Sequence, residues 1–507
     1  MPLHVGSDAG LSENRHGPDD GKRGDASVLF GKFLHLEFRG MTHVEQMNPN
    51  SGWVKFLPKS IQARLSSRNN LQAVLGNSAW QVTDKIVRMG VGVLVGLWVA
   101  RYLGPRGFGE LNYAIALTSV LGAVANLGLD SIVIRELVRA PERKNVLLGS
   151  TFVLKLAGSL LALFTVIILV SVLRPGDKLA LLLTVLSSSG FLFQSVSVDL
   201  YFQAKVQSKY IVLSTSGAFL LMALVKVGLM LMGAPLVAFA WAGLCEFVLA
   251  AVFILLAYSI KHQSIWQWKY SPSVMRSLLR DSWPLILTGI SVMITMRVDQ
   301  VLIGQLLNDK EVGLYSAAVR ISEIWYFIPI SIASSTFPAL IESKKQSIEV
   351  FYRRLQHLYD LLVGIGIAVA LGMTFLSGLA IKLLYGHAYA GSGPVLNILI
   401  WSGIPVAFGC AWSNWMVLEN RTRTMFLLQV TAAIVNFILN LLLIPRFGIL
   451  GSAYATLISY WAPLILITAM MKSQHRAFLM LCRSLIPFSG YFAAKIREGK
   501  LGGTKVA

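Results

Sequence analysis

PLVAFAWAGLCEFVLAAVFILLAYSI, residues 235–260, is the stretch whose reading decides the class of fold. The hydrocarbon core of a bilayer is about 30 Å thick, and roughly 20 apolar residues in a helix cross it. This run is long enough, yet Glu246 stands near its middle. A charge at that depth costs about 2.5–3.5 kcal/mol or more against lipid, so it turns toward protein or water. The run therefore belongs to a membrane protein with a polar interior.

Working outward, apolar runs of similar length recur near 81–101, 109–128, 147–173, 179–199 and 210–232. After 235–260 they resume near 283–306, 313–341, 358–384, 394–417, 424–444 and 449–471. The pattern predicts an all-α polytopic membrane protein of about twelve transmembrane helices, in two pseudo-symmetric six-helix bundles around a central cavity. Composition agrees, with 55% hydrophobic residues, 14% charged residues and a mean hydropathy of +0.63. A formal net charge of +20 would suggest nucleic acid in a water-soluble chain. Here Lys and Arg crowd the short connections instead, which is the signature of topology and leaves no call for a nucleic-acid partner.

Arg135, Arg139, Arg143, Lys144, Lys205, Lys209, Lys261, Lys269, Arg276, Arg280, Lys344, Lys345, Arg353, Arg354, Arg421 and Arg423 fall in connections on one side. Arg101, Arg106, Arg174, Lys178, Lys310, Lys382 and Arg446 fall on the other. Basic loops stay cytoplasmic, which predicts cytoplasmic N and C termini and an even number of spans. Residues 1–50 are polar without a signal-peptide layout, and are expected to be disordered or an over-extended start, with Met41 or Met47 as later starts. Residues 51–78 carry Val54, Leu57, Ile61 and Leu65 at helical spacing beside Lys55, Lys59, Arg64 and Arg68, and read either as an interfacial amphipathic helix or as a solvated linker. The expected domains are then a 79–260 bundle, a 261–281 cytoplasmic linker, a 282–471 bundle and a 472–507 cytoplasmic or interfacial tail. Cys245, Cys410 and Cys482 are too dispersed for a disulfide framework or a metal site, and no cofactor or metal is expected.

The halves echo one another. Trp80, Gly109, Leu111 and Ala114 recur as Trp283, Gly313, Tyr315 and Ala318 at nearly the same spacings. Internal repeats of this kind are common in secondary transporters, whose substrate path lies between the repeats. WVARYLGPRGFGELNYAIAL (98–117) with NLGLDSIVIREL (126–137), and RVDQVLIGQLLNDKEVGLYSAAVRISEIWYFIPISIASSTFPALI (297–341), resemble bacterial polysaccharide repeat-unit flippases of the O-antigen and capsule type. The resemblance runs from about 78 to 471, and that family belongs to the multidrug, oligosaccharidyl-lipid and polysaccharide exporter superfamily. It implies a flippase of the bacterial plasma (inner) membrane. Such a protein would move an undecaprenyl-pyrophosphate-linked oligosaccharide from the cytoplasmic to the periplasmic leaflet for surface polysaccharide biosynthesis. Alternating access would be driven by an ion gradient, with membrane lipid around it and a polysaccharide polymerase acting next.

A cargo of that chemistry needs cations for its diphosphate, and guanidinium suits phosphate by its fork of donors and permanent charge. Arg88, Arg297 and Arg320 lie inside predicted helices and are the candidates. Asp84 is four residues before Arg88, and Glu323 three after Arg320, so local ion pairs are the structural alternative. Arg297 and Asp299 point apart, so a partner for Arg297 must come from another helix, Arg320 or Glu323 lying within the eighth. Lys155 and Lys226 stand near helix ends, where a long side chain can reach water.

No GxxxxGK[ST] phosphate loop occurs, so energy would come from an ion, H⁺ or Na⁺. Glu246, Asp299 and Glu323 are the ion-coupling candidates, with hydrogen-bonded packing as the alternative for Glu246. Asp130 reads as a cap or loop contact. Trp325, Tyr326, Asn436 and Asn440 are sugar-path candidates, with helix contacts and interhelical hydrogen bonds as the competing use. Trp412 and Trp415 are weighed in the same way. No hydrolase or metal-ligand spacing is present, and a non-enzymatic protein is expected. Two other readings stay open: a cation-coupled multidrug antiporter, which would favour acids over arginines in its cavity, and a membrane polysaccharide polymerase or glycosyltransferase, which would need large outer loops.

Overall fold

The computed structural model of the chain describes residues 69–419, 421–471 and 474–485. The 1–50 extension, the amphipathic stretch up to Arg68 and the tail beyond 485 lie outside the described residues. Among those described the fold is helical throughout, with no strand. The first half comprises α1 (Asn69–Asn126), α2 (Asp130–Arg139), α3 (Lys144–Leu173), α4 (Lys178–Gln194), α5 (Val198–Ala204), α6 (Ser208–Leu231) and α7 (Leu236–Ile260). The second comprises α8 (Pro272–Leu306), α9 (Asp309–Ile324), α10 (Phe327–Gln346), α11 (Ile348–Leu384), α12 (Ser392–Leu399), α13 (Gly403–Leu418), α14 (Thr422–Phe447), α15 (Ile449–Met470) and α16 (His475–Leu485).

At 58 residues, α1 would be about 87 Å long if straight, far more than a bilayer core. It is not straight. Gly104 has φ 67° and ψ 173°, a conformation that glycine adopts without penalty, and Pro105 follows where its fixed φ can restart a helix. Arg88 on the first arm and Asn126 on the second line the same cavity, so the chain doubles back here. Ten helical segments are long and apolar enough to cross a membrane, or eleven with the α4–α5 pair, which bends by 47°. Dividing α1 at Gly104 accounts for the expected twelve.

Several spans are less regular than their hydropathy suggests. The 313–341 run is two helices, α9 and α10, parted at Trp325 and Tyr326, and the 394–417 run is α12 and α13 joined through a 3₁₀ turn at Ile400–Ser402. The helix α8 begins at Pro272, so the second part of the polar 261–281 stretch is already helical.

In the first half α3, α4, α6 and α7 pack on one another; in the second, α8, α14 and α15 form one group, and α10 to α13 another. The halves meet around a buried cluster that includes Phe108, Tyr113, Tyr315, Tyr385 and Tyr389. Gly109 and Gly313, the two repeat positions, lie at the centre of this junction. A Cβ on Gly109 would overlap the Asp309 backbone carbonyl, and one on Gly313 would overlap the Pro105 carbonyl. The backbones touch because neither residue has a side chain. Polar bonds reinforce the junction: Arg174 donates to Asp309 Oδ1 at 2.6 Å and to the Gly304 carbonyl at 3.1 Å, Gln305 donates to the Tyr113 hydroxyl at 2.6 Å, and the Tyr389 hydroxyl donates to the Ala100 carbonyl at 2.7 Å. Arg174, counted in sequence as a loop charge, is therefore an inter-half bridge.

The tail segment α16 has one apolar face, with Ala477, Met480 and Leu481 buried. Gln356 on α11 donates to the Met480 carbonyl at 3.1 Å and to Ser484 at 2.9 Å. This amphipathic segment is docked on α11.

Candidate functional site

Two cavities are stacked along the first half, with α8 and α9 completing the wall. The lower, about 610 Å³, reaches the end of the bundle marked by Asn126, Gly128 and Asp130. The upper, about 520 Å³, reaches the end marked by Val99 and Phe108. They share Ser119, Phe191, Gln194 and Phe247, so these residues form the divide between two compartments of one path.

Helical periodicity builds the walls. On α6, Ile211 and Thr215 face the lower compartment and Phe219, Ala223 and Lys226 the upper. Steps of three and four keep all five on one face. On α7, Phe239, Gly243, Phe247, Ala250 and Ile254 do the same, with Glu246 beside them. The sequence places mostly small or aromatic residues on these faces and leaves Leu224 and Leu231 outward, 70% and 85% exposed in the isolated chain, where lipid would cover them.

Of the arginines expected to meet a diphosphate, two line the path. Arg88 faces the lower compartment with its guanidinium 5.2 Å from the Phe219 ring centroid. Its expected local partner, Asp84, instead accepts from Ser216 on α6. Arg320 faces the upper compartment with its guanidinium 5.6 Å from the Phe108 ring centroid. Neither has a carboxylate within ion-pair distance among the described residues. Gly96 allows Arg320 its place, since a Cβ there would overlap the guanidinium. Arg297 is different: it donates to Glu323 Oε2 at 3.2 Å, linking α8 to α9, and it lines neither compartment.

Two lysines join the path. Lys155 is only 5% exposed, lines the lower compartment and donates to Asp130 Oδ1 at 2.6 Å, while Asn126 donates to the other Asp130 oxygen at 2.7 Å. Asp130 is thus a bridge between α1, α2 and α3. Lys226 lines the upper compartment and donates to Glu246 Oε2 at 3.0 Å. Neither lysine snorkels to a helix end. Sequence spacing carried the signal for Lys226, seven residues after Phe219 and three after Ala223, but only once the cavity face of α6 is known.

The remaining candidates lie elsewhere. Asp299 is 3% exposed and accepts from the Tyr315 hydroxyl at 2.6 Å and the Gln300 backbone N–H at 2.7 Å, with Thr456 3.2 Å from the same hydroxyl. Asn436 donates to Ser459 at 3.0 Å; Asn440 donates to the Asn436 carbonyl at 2.9 Å and accepts from Ser452 at 2.6 Å. Both asparagines are fully buried between α14 and α15. Trp325 is buried, edge-on to Tyr326 with ring centroids 5.6 Å apart, and fills the space left by Gly403, while the Tyr326 hydroxyl lies 3.4 Å from Ser402. Trp412 and Trp415 are buried in the second-half core. None of these lines the path. No group of three or more His, Cys, Asp or Glu suited to a metal occurs among the described residues.

A two-lobed bundle of membrane-length helices, with a charged path enclosed within it, defines a polytopic membrane transporter fold. Residues 74–344 match the family model described as polysaccharide biosynthesis protein, and the chain belongs to that family. Curated relatives include the probable flippase AglR of Haloferax volcanii, 26% identical over 246 residues, which are 47% of this chain and 50% of that protein. The probable low-salt glycan biosynthesis flippase Agl15 of the same organism is 26% identical over 217 residues, 42% of this chain and 45% of that protein. The chain spans about half the length of the curated relatives it matches. Among solved structures, an inward-facing multidrug resistance MATE family transporter of the MOP superfamily aligns with TM-score 0.59 and 15% identity over 83% of this chain and 96% of that one. The lipid II flippase MurJ in its inward closed conformation aligns with TM-score 0.60 and 18% identity over 83% and 93%. The fold is shared with both.

Proposed function

We propose that the chain flips an undecaprenyl-diphosphate-linked oligosaccharide from the cytoplasmic to the outer leaflet for surface polysaccharide biosynthesis. The observation that carries this reading is the row of cations Arg88, Lys155, Lys226 and Arg320 along one two-compartment path. Arginines without carboxylate partners in such a setting are costly unless an anion visits them. The diphosphate enters the lower compartment at Arg88 and reaches Arg320 in the upper, while the prenyl tail stays in lipid. The relatives named as flippases of glycan biosynthesis support the cargo class.

The fold alone does not separate a flippase from a drug antiporter, since both kinds of neighbour align equally well. The cations do. A cavity for cationic drugs would present mainly uncompensated acids, whereas here Asp130 and Glu246 are paired with Lys155 and Lys226, and Asp199, the lining acid with no ion pair among the described residues, is set against two arginines that also have none. In the flippase reading Arg297 is held by Glu323 until an H⁺ or Na⁺ takes the carboxylate, and Asp299 with Tyr315 is a second place where an ion could act. The protein sits in the plasma membrane with both termini cytoplasmic, as the basic connections indicate, acts by transport without covalent chemistry, and hands its cargo to a polymerase.

The test is reconstitution. In proteoliposomes with a fluorescent undecaprenyl-diphosphate oligosaccharide in both leaflets, the active protein should make the inner-leaflet pool accessible to an external quencher, and Arg88→Ala should slow this about tenfold or more, the scale of one lost charged hydrogen bond. Transport of organic cations with no movement of the lipid would sink the proposal.

A further inference from the structure

We propose that Glu246 is a mobile counter-ion: it holds Lys226 until the cargo's diphosphate reaches the upper compartment, then yields that lysine to the diphosphate and turns to the cations of the lower compartment. The inference rests on the flippase reading and adds to it the step by which charge is exchanged across the divide.

The geometry that carries it is an ion pair that straddles two chambers. Lys226 on α6 lines the upper compartment, Glu246 on α7 lines the lower, and their side chains meet at 3.0 Å beside the shared residue Phe247. Each side chain is about a fifth exposed, 22% and 21%, so the pair borders the cavity rather than being sealed in the core. Across the upper compartment, Arg320 stacks near Phe108 with no carboxylate partner among the described residues. Thr118, whose hydroxyl finds no hydrogen-bond partner among the described residues, lines the same chamber.

A diphosphate carries at least two negative charges, and Arg320 supplies one positive charge. The second cation within the chamber is Lys226, already committed to Glu246. Leaving the glutamate bare would be unfavourable, by the general penalty for an uncompensated charge held away from bulk water. Arg88 removes that penalty, because it lines the same lower compartment as Glu246 and loses its own anion as the diphosphate moves up. One carboxylate and one diphosphate thus exchange partners, and no charge is stranded at either end of the step. No bond is made or broken covalently.

The experiment uses the full chain in nanodiscs with undecaprenyl diphosphate as probe and undecaprenol as the uncharged control, measuring binding alongside proteoliposome flipping. Glu246→Gln removes the competitor for Lys226, so diphosphate affinity should rise about tenfold while flipping falls, because the lysine no longer has a partner to return to. Lys226→Met should weaken binding, and adding Glu246→Gln to it should produce no tightening. Lys226→Arg, which retains the charge, should restore binding if the methionine variant is poorly folded. A purely structural pair predicts lower thermal stability for Glu246→Gln and unchanged or weaker binding; that result, or tightening that persists without Lys226, overturns the exchange. Wild-type protein binding diphosphate no better than undecaprenol would overturn the flippase reading as well.

Discussion

At the residue scale, the arginines that looked alike in sequence divide by their partners. Arg88 rests on an aromatic ring and Arg297 is tied to Glu323. Arg88→Ala should therefore leave expression and melting temperature near wild type while export falls at least tenfold, read by immunoblot, thermal melting in detergent and surface-polymer yield. Arg297→Ala strands Glu323 instead. Breaking a fully buried pair costs about 3–5 kcal/mol, and less here because both side chains are about a quarter exposed. Its expected signature is a lower melting temperature, partly restored by pairing it with Glu323→Gln. The presence of both arginines inside helices was legible from sequence. Glu323 was one of the two partners that sequence offered Arg297, and the structure selects it; that Arg88 leaves Asp84 for the Phe219 ring was not legible, because α6 is not brought near it by sequence spacing. Asn436 and Asn440 teach the same lesson, since their bonds to Ser459 and Ser452 join two helices and leave no group facing the path.

At the element scale, turns and close approaches decide the packing. Gly104 holds a positive φ that costs another residue roughly 1–2 kcal/mol, and Gly109 lies against the α9 backbone. Gly109→Val or Gly313→Val should push the halves apart at that junction and lower stability by about 1–3 kcal/mol or more, the usual cost of overpacking, measured by thermal melting. Gly90→Ala, where a Cβ meets nothing within 4 Å, should have little effect and serves as the control. Sequence alone paired Gly109 with Gly313 as repeat positions, and the fold gives the pairing its physical content: equivalent glycines meet where the halves touch. Hydropathy also found the spans, but it read through the breaks at Gln194, Trp325 and Ile400. A broken helix stays apolar on both sides of its break, so a composition average does not register it.

At the scale of the whole molecule, the basic connections give the proposed orientation, and contacts join the halves at both ends of the bundle. The Arg174–Asp309 bridge, the Gln305–Tyr113 bond and the glycine contact lie at the end of the bundle opposite Asp130, while Arg135 pairs with Asp281 at 3.0 Å at the Asp130 end. In the proposed orientation the first connection lies outside and the second inside, so alkaline phosphatase fused after Gly176 should be active and fused after Arg143 inactive; the reverse pattern would invert the proposed direction of transport. Asp309→Asn weakens the bridge to Arg174 and should shift the protein toward an outward-open form, seen as faster labelling of a cysteine introduced at Thr118. The class of fold was legible in the sequence because lipid imposes length and hydropathy on every span. The path itself was not, because a cavity is defined by how faces of α1, α6 and α7 turn toward one another.

The measurement that tests the central claim most directly is mass spectrometry of lipid-linked oligosaccharides in the native host after deletion of the gene. The account predicts accumulation of an undecaprenyl-diphosphate-linked repeat unit and loss of surface polymer, both reversed by the wild-type chain and not by Arg88→Ala. Unchanged lipid-linked pools with surface polymer intact, or sensitivity to cationic dyes as the sole change, would contradict it.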